Sequence, residues 1–421
     1  MRKGSFKISV ILILISLIIP FFGINTKKVK ADTAPWFDTN YLFRVKVTIK
    51  LSQPLFWTGK NPVKIDLNSG NAPFFWEFVQ PDARDIVVTD KDGNELSYWI
   101  EEWDYANKRA TIWINFYYPG MSGGWSDTNI AYIYYDNPFV LFGHGRHTET
   151  DTNGILWYYS GYGDETFDFF DDFEGNELDK NKWDSFNDKF IHVSKYDDFN
   201  LVSDFSTLYL NPTPPEIAWI KSKKSPSGNN FVWETRFEVL RGGLSDIEYP
   251  YRVKLLVHGS FDVDGDGNYD DDDEYGCFGR SFSFWNKVWY YWGDYTNKEI
   301  ERRKWYKSIE TCNGTKGKFT WEVYNDIGGS LDFMRDANIV GVVDGKIELH
   351  AGGDTNYFTN YEGTLKVDYV FLHKILPSYS VSLLEEKQVD LEVSVTSNTD
   401  SVYSGEDIEF TVTASNNDSN Y

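Results

Sequence analysis

The stretch Phe43-Arg44-Val45-Lys46-Val47-Thr48-Ile49 alternates apolar and polar side chains. A period of two is the pattern of a β-strand that buries one face. Similar short runs lie at 96–100, 110–116 and 130–135, and turn residues such as Lys91-Asp92-Gly93-Asn94 separate them. Helical periodicity is almost absent along the chain. The sequence therefore predicts an all-β protein.

The N-terminus has the pattern of a signal peptide. Arg2, Lys3 and Lys7 precede an apolar run, 8–22, and Val29-Lys30-Ala31 ends in small residues at the spacing of a cleavage site. We expect residues 1–31 to be removed, which leaves an extracellular or cell-surface protein with no transmembrane span. The alternative is an uncleaved membrane anchor, for which the apolar run is short.

The mature chain is expected to be strongly acidic. Removing 1–31 takes away six Lys and Arg residues and no acid, so the formal charge falls from −23 to −29. Nucleic-acid binding needs basic patches, so this charge argues against it and suits cation binding instead. Phe, Tyr and Trp make up 18% of the chain, which favours strands and flat apolar surfaces for sugar rings.

A series of motifs predicts a first sandwich over 32–140. They are Trp36-Phe37-Asp38, 41–49, Asp82-Ala83-Arg84-Asp85, 96–101, 110–114 and Ile133-Tyr134-Tyr135-Asp136-Asn137-Pro138. Over about 36–140 their order resembles domain of unknown function 2341, a family of archaeal and bacterial surface proteins. Asp136 stands where the family pattern has Gly. Asp82 and Asp85 are interpreted as turn residues, with an ion-binding role as the alternative.

After a linker predicted at 141–165, a second sandwich is expected over 166–386. Its start, Phe169-Phe170-Asp171-Asp172-Phe173-Glu174-Gly175, resembles the first strand of concanavalin A-like lectin/glucanase sandwiches. The run 363–374 resembles their last strand. The resemblance implies a jelly roll in which this last strand pairs beside the first.

The C-terminal segment, 387–421, resembles the first two strands of an immunoglobulin-like repeat, at 389–395 and 408–414. A complete sandwich of that type needs about 100 residues. We therefore expect a truncated immunoglobulin-like domain here, and a disordered tail is the alternative. The predicted architecture is two tandem β-sandwiches followed by this partial domain.

An acidic stretch between 262 and 274 has the spacing of a calcium loop. Hard divalent cations prefer several oxygen ligands on a sharply turning backbone, and Gly267 stands at the turn. The flanking residues favour strands, so we expect a structural calcium clamp at the tip of a β-hairpin rather than an EF-hand. The alternative is a solvated acidic loop. The predicted ligands are Asp262, Asp264, Asp266, Asn268, Asp270 and Asp273.

The two cysteines, Cys277 and Cys312, both fall in the second sandwich. An exported protein can form a disulfide between them, and two buried free thiols are the alternative.

The resemblance to glucanases raises the question of catalysis. Retaining glycosidases need two carboxyl groups roughly 5–5.5 Å apart, and laminarinase-type glucanases place them on one strand as Glu-x-Asp-x-x-Glu or Glu-x-Asp-x-Glu. The nearest pattern is Glu234-Thr235-Arg236-Phe237-Glu238, which has Arg where the middle acid belongs. An ion-paired surface row explains it more simply. We therefore predict no catalytic residues.

Three functional hypotheses follow. The first is a non-catalytic surface protein that binds a glycan or cell-surface polymer, with surface-layer neighbours as further partners. The second is a divergent glycoside hydrolase that uses Glu234 and Glu238. The third is a structural spacer in a surface array. For the first hypothesis the expected ligand-binding residues are Trp285, Trp289, Trp292 and Trp305.

Overall fold

The computed structural model shows two β-sandwiches that meet at a packed junction. For 148–150, 156–158, 195–196, 202–206, 241, 254, 261–262, 279–285, 288–291, 294–299, 335, 391–397 and 410–416 it describes the strands and their pairing only. The described residues are 36–52, 59–116, 128–140, 148–150, 156–158, 162–196, 202–213, 216–241, 253–259, 261–262, 279–285, 288–291, 294–299, 301, 303–341, 343–352, 364–388, 391–397 and 410–416.

Strands dominate the described residues, which confirms the all-β prediction. Up to residue 166 they are β1 (Phe43–Leu51), β2 (Pro62–Asn68), β3 (Val87–Asp90), β4 (Tyr98–Asp104), β5 (Arg109–Asn115), β6 (Thr128–Tyr135), β7 (Thr148–Thr150) and β8 (Leu156–Tyr158), with short helices α1 (Phe75–Phe78) and α2 (Gly163–Thr166).

The later elements include a 3₁₀ turn at Asp188–Phe190. The strands are β9 (Phe169–Asp171), β10 (Trp183–Phe186), β11 (Ile191–Tyr196), β12 (Val202–Leu210), β13 (Ile217–Ser222), β14 (Asn230–Arg241), β15 (Val253–His258), β16 (Phe261–Asp262), β17 (Gly279–Trp285), β18 (Val288–Tyr291), β19 (Asp294–Glu299), β20 (Trp305–Asn313), β21 (Lys318–Tyr324), β22 (Leu331–Ile339), β23 (Ile347–Gly352), β24 (Thr364–Lys374), β25 (Tyr379–Lys387), β26 (Leu391–Ser397) and β27 (Phe410–Asn416).

The first sandwich packs the sheet β25-β1-β6-β3 against the sheet β2-β5-β4. Along β1, Val45, Val47 and Ile49 are fully buried in the shared core, as the alternation predicts. Arg44 lies on the opposite face, where it pairs with Glu386 of β25 at 2.7 Å.

The second sandwich consists of a seven-stranded sheet, β10-β13-β23-β15-β17-β18-β19, and a nine-stranded sheet. The nine-stranded sheet has the order β11-β12-β24-β14-β20-β21-β22-β16, and β9 also pairs with β24. The predicted pairing of the last strand beside the first is therefore confirmed. A single apolar core, which includes Trp183, Trp233 and Trp321, lies between the two sheets.

β25 differs from the predicted division of the chain. The second sandwich was expected to extend to residue 386, yet β25 pairs with β1 of the first sandwich over nine positions, from Phe43↔Lys387 to Leu51↔Tyr379. β25 joins the first sandwich because β1 would otherwise be an unpaired edge strand. Leu383 of β25 also packs against the core of that sandwich. The second sandwich is thus inserted between β6 and β25.

An aromatic cluster forms the junction between the two sandwiches. Trp99 and Trp113 of the first sandwich contact Phe167, Phe170 and Phe371, with ring centroids 5.1–5.6 Å apart. Glu165, the last residue of the predicted linker, 141–165, accepts a hydrogen bond from Asn115 Nδ2 at 2.9 Å, so the end of the linker takes part in the junction. The junction covers the outward face of the nine-stranded sheet at β24.

The C-terminal segment contains β26 and β27, which pair antiparallel over seven positions. Two strands are what its immunoglobulin-like resemblance predicts. No helix among the described residues is long and apolar enough to span a membrane. Residues 1–31, with the predicted signal peptide, lie outside the described residues.

Candidate functional site

The strands that flank the predicted calcium loop form a hairpin. β15 and β17 pair antiparallel, from Lys254↔Ser283 to His258↔Gly279. Asp262 ends β16 and pairs with Asn338 of β22, in the other sheet. β15 and β17 thus belong to the seven-stranded sheet, whereas β16, which lies between them in sequence, belongs to the nine-stranded sheet. The connection is therefore more complex than the predicted hairpin tip.

Most of the predicted calcium ligands fall outside the described residues, and calcium binding stays a prediction. Among the described residues, no group of three or more His, Cys, Asp or Glu side chains is arranged to hold a metal ion. The ligands that lie outside are Asp264, Asp266, Asn268, Asp270 and Asp273.

The two cysteines are not described equally. Cys312 is fully buried in the core of the second sandwich. Cys277 lies outside the described residues, so a bridge between the two remains untested.

The strands of three of the four predicted ligand-binding tryptophans are described. Trp285 and Trp289 belong to β17 and β18 of the seven-stranded sheet, at positions that pair with Val288 and Phe284. Trp305 belongs to β20 of the nine-stranded sheet, with Arg236 4.6 Å and Lys366 5.0 Å from its ring centroid. Trp292 lies outside the described residues. Trp305 therefore belongs to a different sheet from Trp285 and Trp289, and a binding site formed by the four residues stays a prediction.

Glu234, one of the two carboxylates of the hydrolase hypothesis, is held in a buried ion cluster. It is 4% exposed, and its oxygens lie 2.5 Å from Lys307 Nζ and 3.0 Å from His373 Nε2. Burial alone would raise the pKa of Glu234, but its contacts with Lys307 and His373 outweigh burial and lower the pKa to about 2. A carboxylate held ionised in this way is a poor general acid.

Glu238, the second carboxylate, is also buried and lies 3.7 Å from Lys366 Nζ. Burial raises its pKa, and Lys366 and Arg303 oppose that shift. Between the two acids, Arg236 binds Asp326 and Asp368 at 2.8 Å. The predicted ion-paired row is confirmed, but it is largely buried rather than on the surface.

The outward face of the seven-stranded sheet carries a different group of residues. Phe186 of β10 pairs with Trp219 of β13, and Trp219 pairs with His350 of β23. Their strand neighbours Ala218 and Leu349 lie in the core, so these three residues lie on the opposite face. We call Phe186, Trp219 and His350 the outer platform.

The rings of the outer platform form a flat aromatic surface. The centroids of Phe186 and Trp219 are 5.9 Å apart, and their planes differ by only 12°. Phe186 is 44% exposed, and Trp219 and His350 are partly exposed. A stacked, solvent-accessible pair of this kind can take the apolar face of a ligand ring.

A row of polar residues runs beside the platform. Asp184, Lys221 and Glu348 pair in sequence across the same three strands. Lys221 Nζ lies 3.3 Å from His258 Nδ1, and His258 Nε2 lies 3.2 Å from Glu348 Oε2. An ammonium group can only donate, so Nδ1 accepts from Lys221 and Nε2–H donates to Glu348. His258 and Glu348 are each 4% exposed, so the donor and acceptor that lie nearer the solvent beside the platform are Lys221 and Asp184.

Phe186 and Trp219 are not among the residues predicted from the sequence. In the strand Ile217-Ala218-Trp219-Ile220-Lys221-Ser222, Trp219 alternates with the core residues Ala218 and Ile220 and shares a face with Lys221. A large aromatic on the polar face of an alternating strand is a signal that could have identified it.

Comparison with protein families confirms the first resemblance. Residues 82–186 match the family described as domain of unknown function (DUF2341). The match runs from the motif at Asp82 through the junction and into β10. No curated protein matches the chain.

Several solved lectin structures are similar to about half of this chain. Arcelin-5, a lectin-like defense protein from Phaseolus vulgaris, is 10% identical and covers 49% of this chain and 97% of its own, with a TM-score of 0.32. A Lotus tetragonolobus seed lectin is 9% identical over 50% and 99%, with a TM-score of 0.32. The acidic lectin of winged bean is 12% identical over 51% and 99%, with a TM-score of 0.33.

Proposed function

We propose that this chain is an exported, non-catalytic cell-surface protein whose second sandwich binds a carbohydrate or related surface polymer on the outer platform. The stacking of Phe186 on Trp219 at an exposed sheet face carries the proposal. Sugar rings present C–H faces that pack on aromatic planes, and their hydroxyl groups need both donors and acceptors. Lys221 supplies a donor beside the platform, and Asp184 supplies acceptors.

The charge of the protein favours a neutral polymer. A mature chain with a formal charge of −29 repels anionic polysaccharides at long range. The arrangement of Glu234 and Glu238 supports binding rather than hydrolysis, because each carboxylate is buried against its own cation.

A glycan array, followed by pull-down on cell-wall polysaccharides with calcium present, tests this function. We expect retention on at least one neutral polysaccharide. Trp219→Ala should weaken that binding about tenfold or more, because loss of a central aromatic contact costs roughly 1.4–2 kcal/mol. Phe139→Ala removes an aromatic that is 76% exposed in the first sandwich, and it should have no effect. A blank array and pull-down would contradict the proposal and favour the structural spacer.

Calcium is proposed as a structural ion of the same sandwich, in the loop between β16 and β17. Outside the cell, where calcium is plentiful, a weak site of about 10⁻⁴–10⁻³ M would be filled and would stabilise the fold by mass action. Chelator is expected to lower the melting temperature of the wild type. The double variant Asp264→Ala with Asp266→Ala should show no such shift. Identical melting curves of the wild type with and without chelator would contradict this role.

A further inference from the structure

β25 is the strand through which the second sandwich is joined to the chain that follows it. The connection 375–378 links β25 to β24 of the second sandwich, and 388–390 link it to β26 of the C-terminal segment. All nine of its residues nevertheless pair with β1 of the first sandwich. A pull between the second sandwich and the C-terminal segment therefore passes along β25.

β25 is close to its full length before any force is applied. A β-strand rises about 3.2–3.4 Å per residue, and a fully extended chain spans at most about 3.3–3.6 Å per residue. Such a pull enters β25 at Tyr379 and leaves it at Lys387 in the opposite direction. The strand can lengthen very little, so the tension runs through it and β1 carries little of the load. Its pairs with β1 do not have to open.

The end of β24 to which β25 is joined is firmly held. β24 lies inside the nine-stranded sheet, where it pairs with β12 on one side and with β14 over ten positions on the other. Val367, Val370 and Leu372 of β24 lie in the core of the second sandwich. Tension in β25 therefore passes into a strand that is paired on both edges and packed in a core.

A pull between the residues before β1 and the C-terminal segment loads the same two strands differently. β1 and β25 are antiparallel, so the start of β1 and the end of β25 form one pair, Phe43↔Lys387. Beside that pair, Gln388 N donates to Leu42 O at 2.9 Å. Opposite forces on these two neighbouring ends load one pair at a time. The hydrogen bonds then break in succession, and each contributes only about 0.5–1.5 kcal/mol.

An ion pair lies where this opening would start. Arg44 binds Glu386 at 2.7 Å in the second pair of the ladder. The Arg44 guanidinium is buried, 4.4 Å from the ring centroid of Trp36 and 4.0 Å from that of Tyr132. Glu386 thus attaches the end of β25 to a fixed cation. This contact resists opening from the Lys387 end and bears little load when β25 is pulled along its axis.

We infer that β25 transmits force between the second sandwich and the C-terminal segment without opening the first sandwich. The use of this property rests on the proposed function, because a surface protein that holds a polymer is pulled at its binding site and at the chain that follows. The mechanical behaviour itself follows from the topology. It predicts that the response to force depends on where the chain is attached.

Single-molecule force spectroscopy on the chain 32–421 tests this inference. The chain is held at its C-terminus and at an azide-bearing amino acid that replaces either Thr39, before β1, or Lys316, in the second sandwich; both residues are exposed. The β26–β27 hairpin is loaded in both arrangements and provides a common reference step. From Thr39 we expect a further step, at lower force than any step of the second sandwich, that frees the nine residues of β25. From Lys316 this step should be absent.

Two substitutions in β25 identify the step. Glu386→Ala removes the ion pair at the start of the ladder and should speed the step from Thr39 about tenfold at a given force, because a hydrogen bond to a charged group is lost. Ser380→Ala changes a pair that opens late, Lys50↔Ser380, and should leave the start of the step unchanged. Neither should change the steps seen from Lys316. If Glu386→Ala melts early, Glu386→Gln replaces it under the same criterion.

The possible results separate this inference from the proposed function. A step that frees β25 at the same force from both attachment points would overturn the inference, and so would the lack of a low-force step from Thr39. Neither result depends on a ligand. Failure to bind any polysaccharide would overturn the proposed function and leave the force measurement unchanged.

Discussion

Asp136 illustrates, at the scale of a single residue, why a family motif takes a particular form. It stands where the DUF2341 pattern has Gly, and its backbone φ is +61°. Its N–H donates to the buried Asp85 carboxylate at 2.8 Å, and Gln80 N donates to the same group at 3.1 Å. Asp85 thereby joins the motif at Asp82 to the closing motif at Tyr135, which agrees with the predicted turn role.

Asp136→Gly is expected to stabilise the protein. Left-handed backbone costs a residue with a Cβ about 1–2 kcal/mol, and glycine avoids this cost but loses more entropy on folding. The net gain should be at most about 1 kcal/mol, measured as the free energy of unfolding in urea. Asp136→Ala, which keeps the Cβ and loses the polar side chain, should destabilise. A less stable glycine variant would contradict this explanation.

Glu310 is a buried carboxyl group on the core side of β20. The Ser308 hydroxyl donates to Glu310 Oε1, and Trp321 Nε1 donates to the Ser308 hydroxyl at 3.0 Å. Glu310 Oε2 has no hydrogen-bond partner among the described residues. Burial raises its pKa to about 8, and the charge of Glu234 adds to the shift. At neutral pH the folded protein therefore holds this group largely protonated.

The raised pKa makes stability depend on pH in a defined direction. A Glu in the unfolded chain releases its proton near pH 4.3. Above that pH the folded state holds a proton that the unfolded state has lost, so the contribution of Glu310 to the free energy of unfolding is complete below pH 4.3 and is lost as pH rises towards about 8. The side chain of Glu310→Gln cannot ionise. The melting temperature of this variant, relative to that of the wild type, should therefore increase between pH 5 and pH 8. The exposed Glu301→Gln serves as the control. Parallel wild-type and Glu310→Gln curves would show that Glu310 does not titrate in this way.

At the scale of secondary-structure elements, β4 and β20 are joined by a buried ion cluster. Lys307 of β20 pairs with Glu101 of β4 and with Glu234 of β14. Glu101 also accepts hydrogen bonds from Tyr369 and Trp113, at 2.6 and 2.8 Å. A single buried cation therefore holds carboxylates from both sandwiches.

Lys307→Met is expected to destabilise the protein by about 3–5 kcal/mol, because it leaves two buried carboxylates without their cation. Lys304→Met, at a more exposed lysine of the same segment, should change the free energy of unfolding by less than about 0.5 kcal/mol. Chemical unfolding monitored by tryptophan fluorescence measures both. Similar small effects of the two substitutions would argue against the cluster as a junction element.

Local pattern predicted strands well and their partners only in part. Alternation predicted β1, β5 and β6, and the residues beside the acidic stretch predicted the hairpin of β15 with β17, because neighbouring strands in sequence often pair. The pairing of β25 with β1 could not be read locally, since more than 300 residues separate them. The same limit applies to Trp305, which lies close to Trp285 in sequence but in the opposite sheet.

At the scale of the whole molecule, the insertion of the second sandwich between β6 and β25 predicts one cooperative unit. Calorimetry should show a single unfolding transition for both sandwiches, apart from the C-terminal segment. A chain that ends after residue 378 lacks β25 and should melt at a clearly lower temperature, because β1 loses its nine-residue partner. A chain that ends after residue 388 keeps β25 and should melt like the full chain. Two separate transitions for the sandwiches would contradict this view.

Carbohydrate binding on the outer platform is the central claim, and affinity electrophoresis tests it most directly. Purified wild type, Phe186→Ala, Trp219→Ala and Phe139→Ala are run through gels that contain the selected neutral polysaccharide. We predict that the wild type and Phe139→Ala are retarded equally and that the two platform variants migrate almost as in a gel without polysaccharide. Equal retardation of all four proteins, each with a wild-type melting temperature, would contradict the claim.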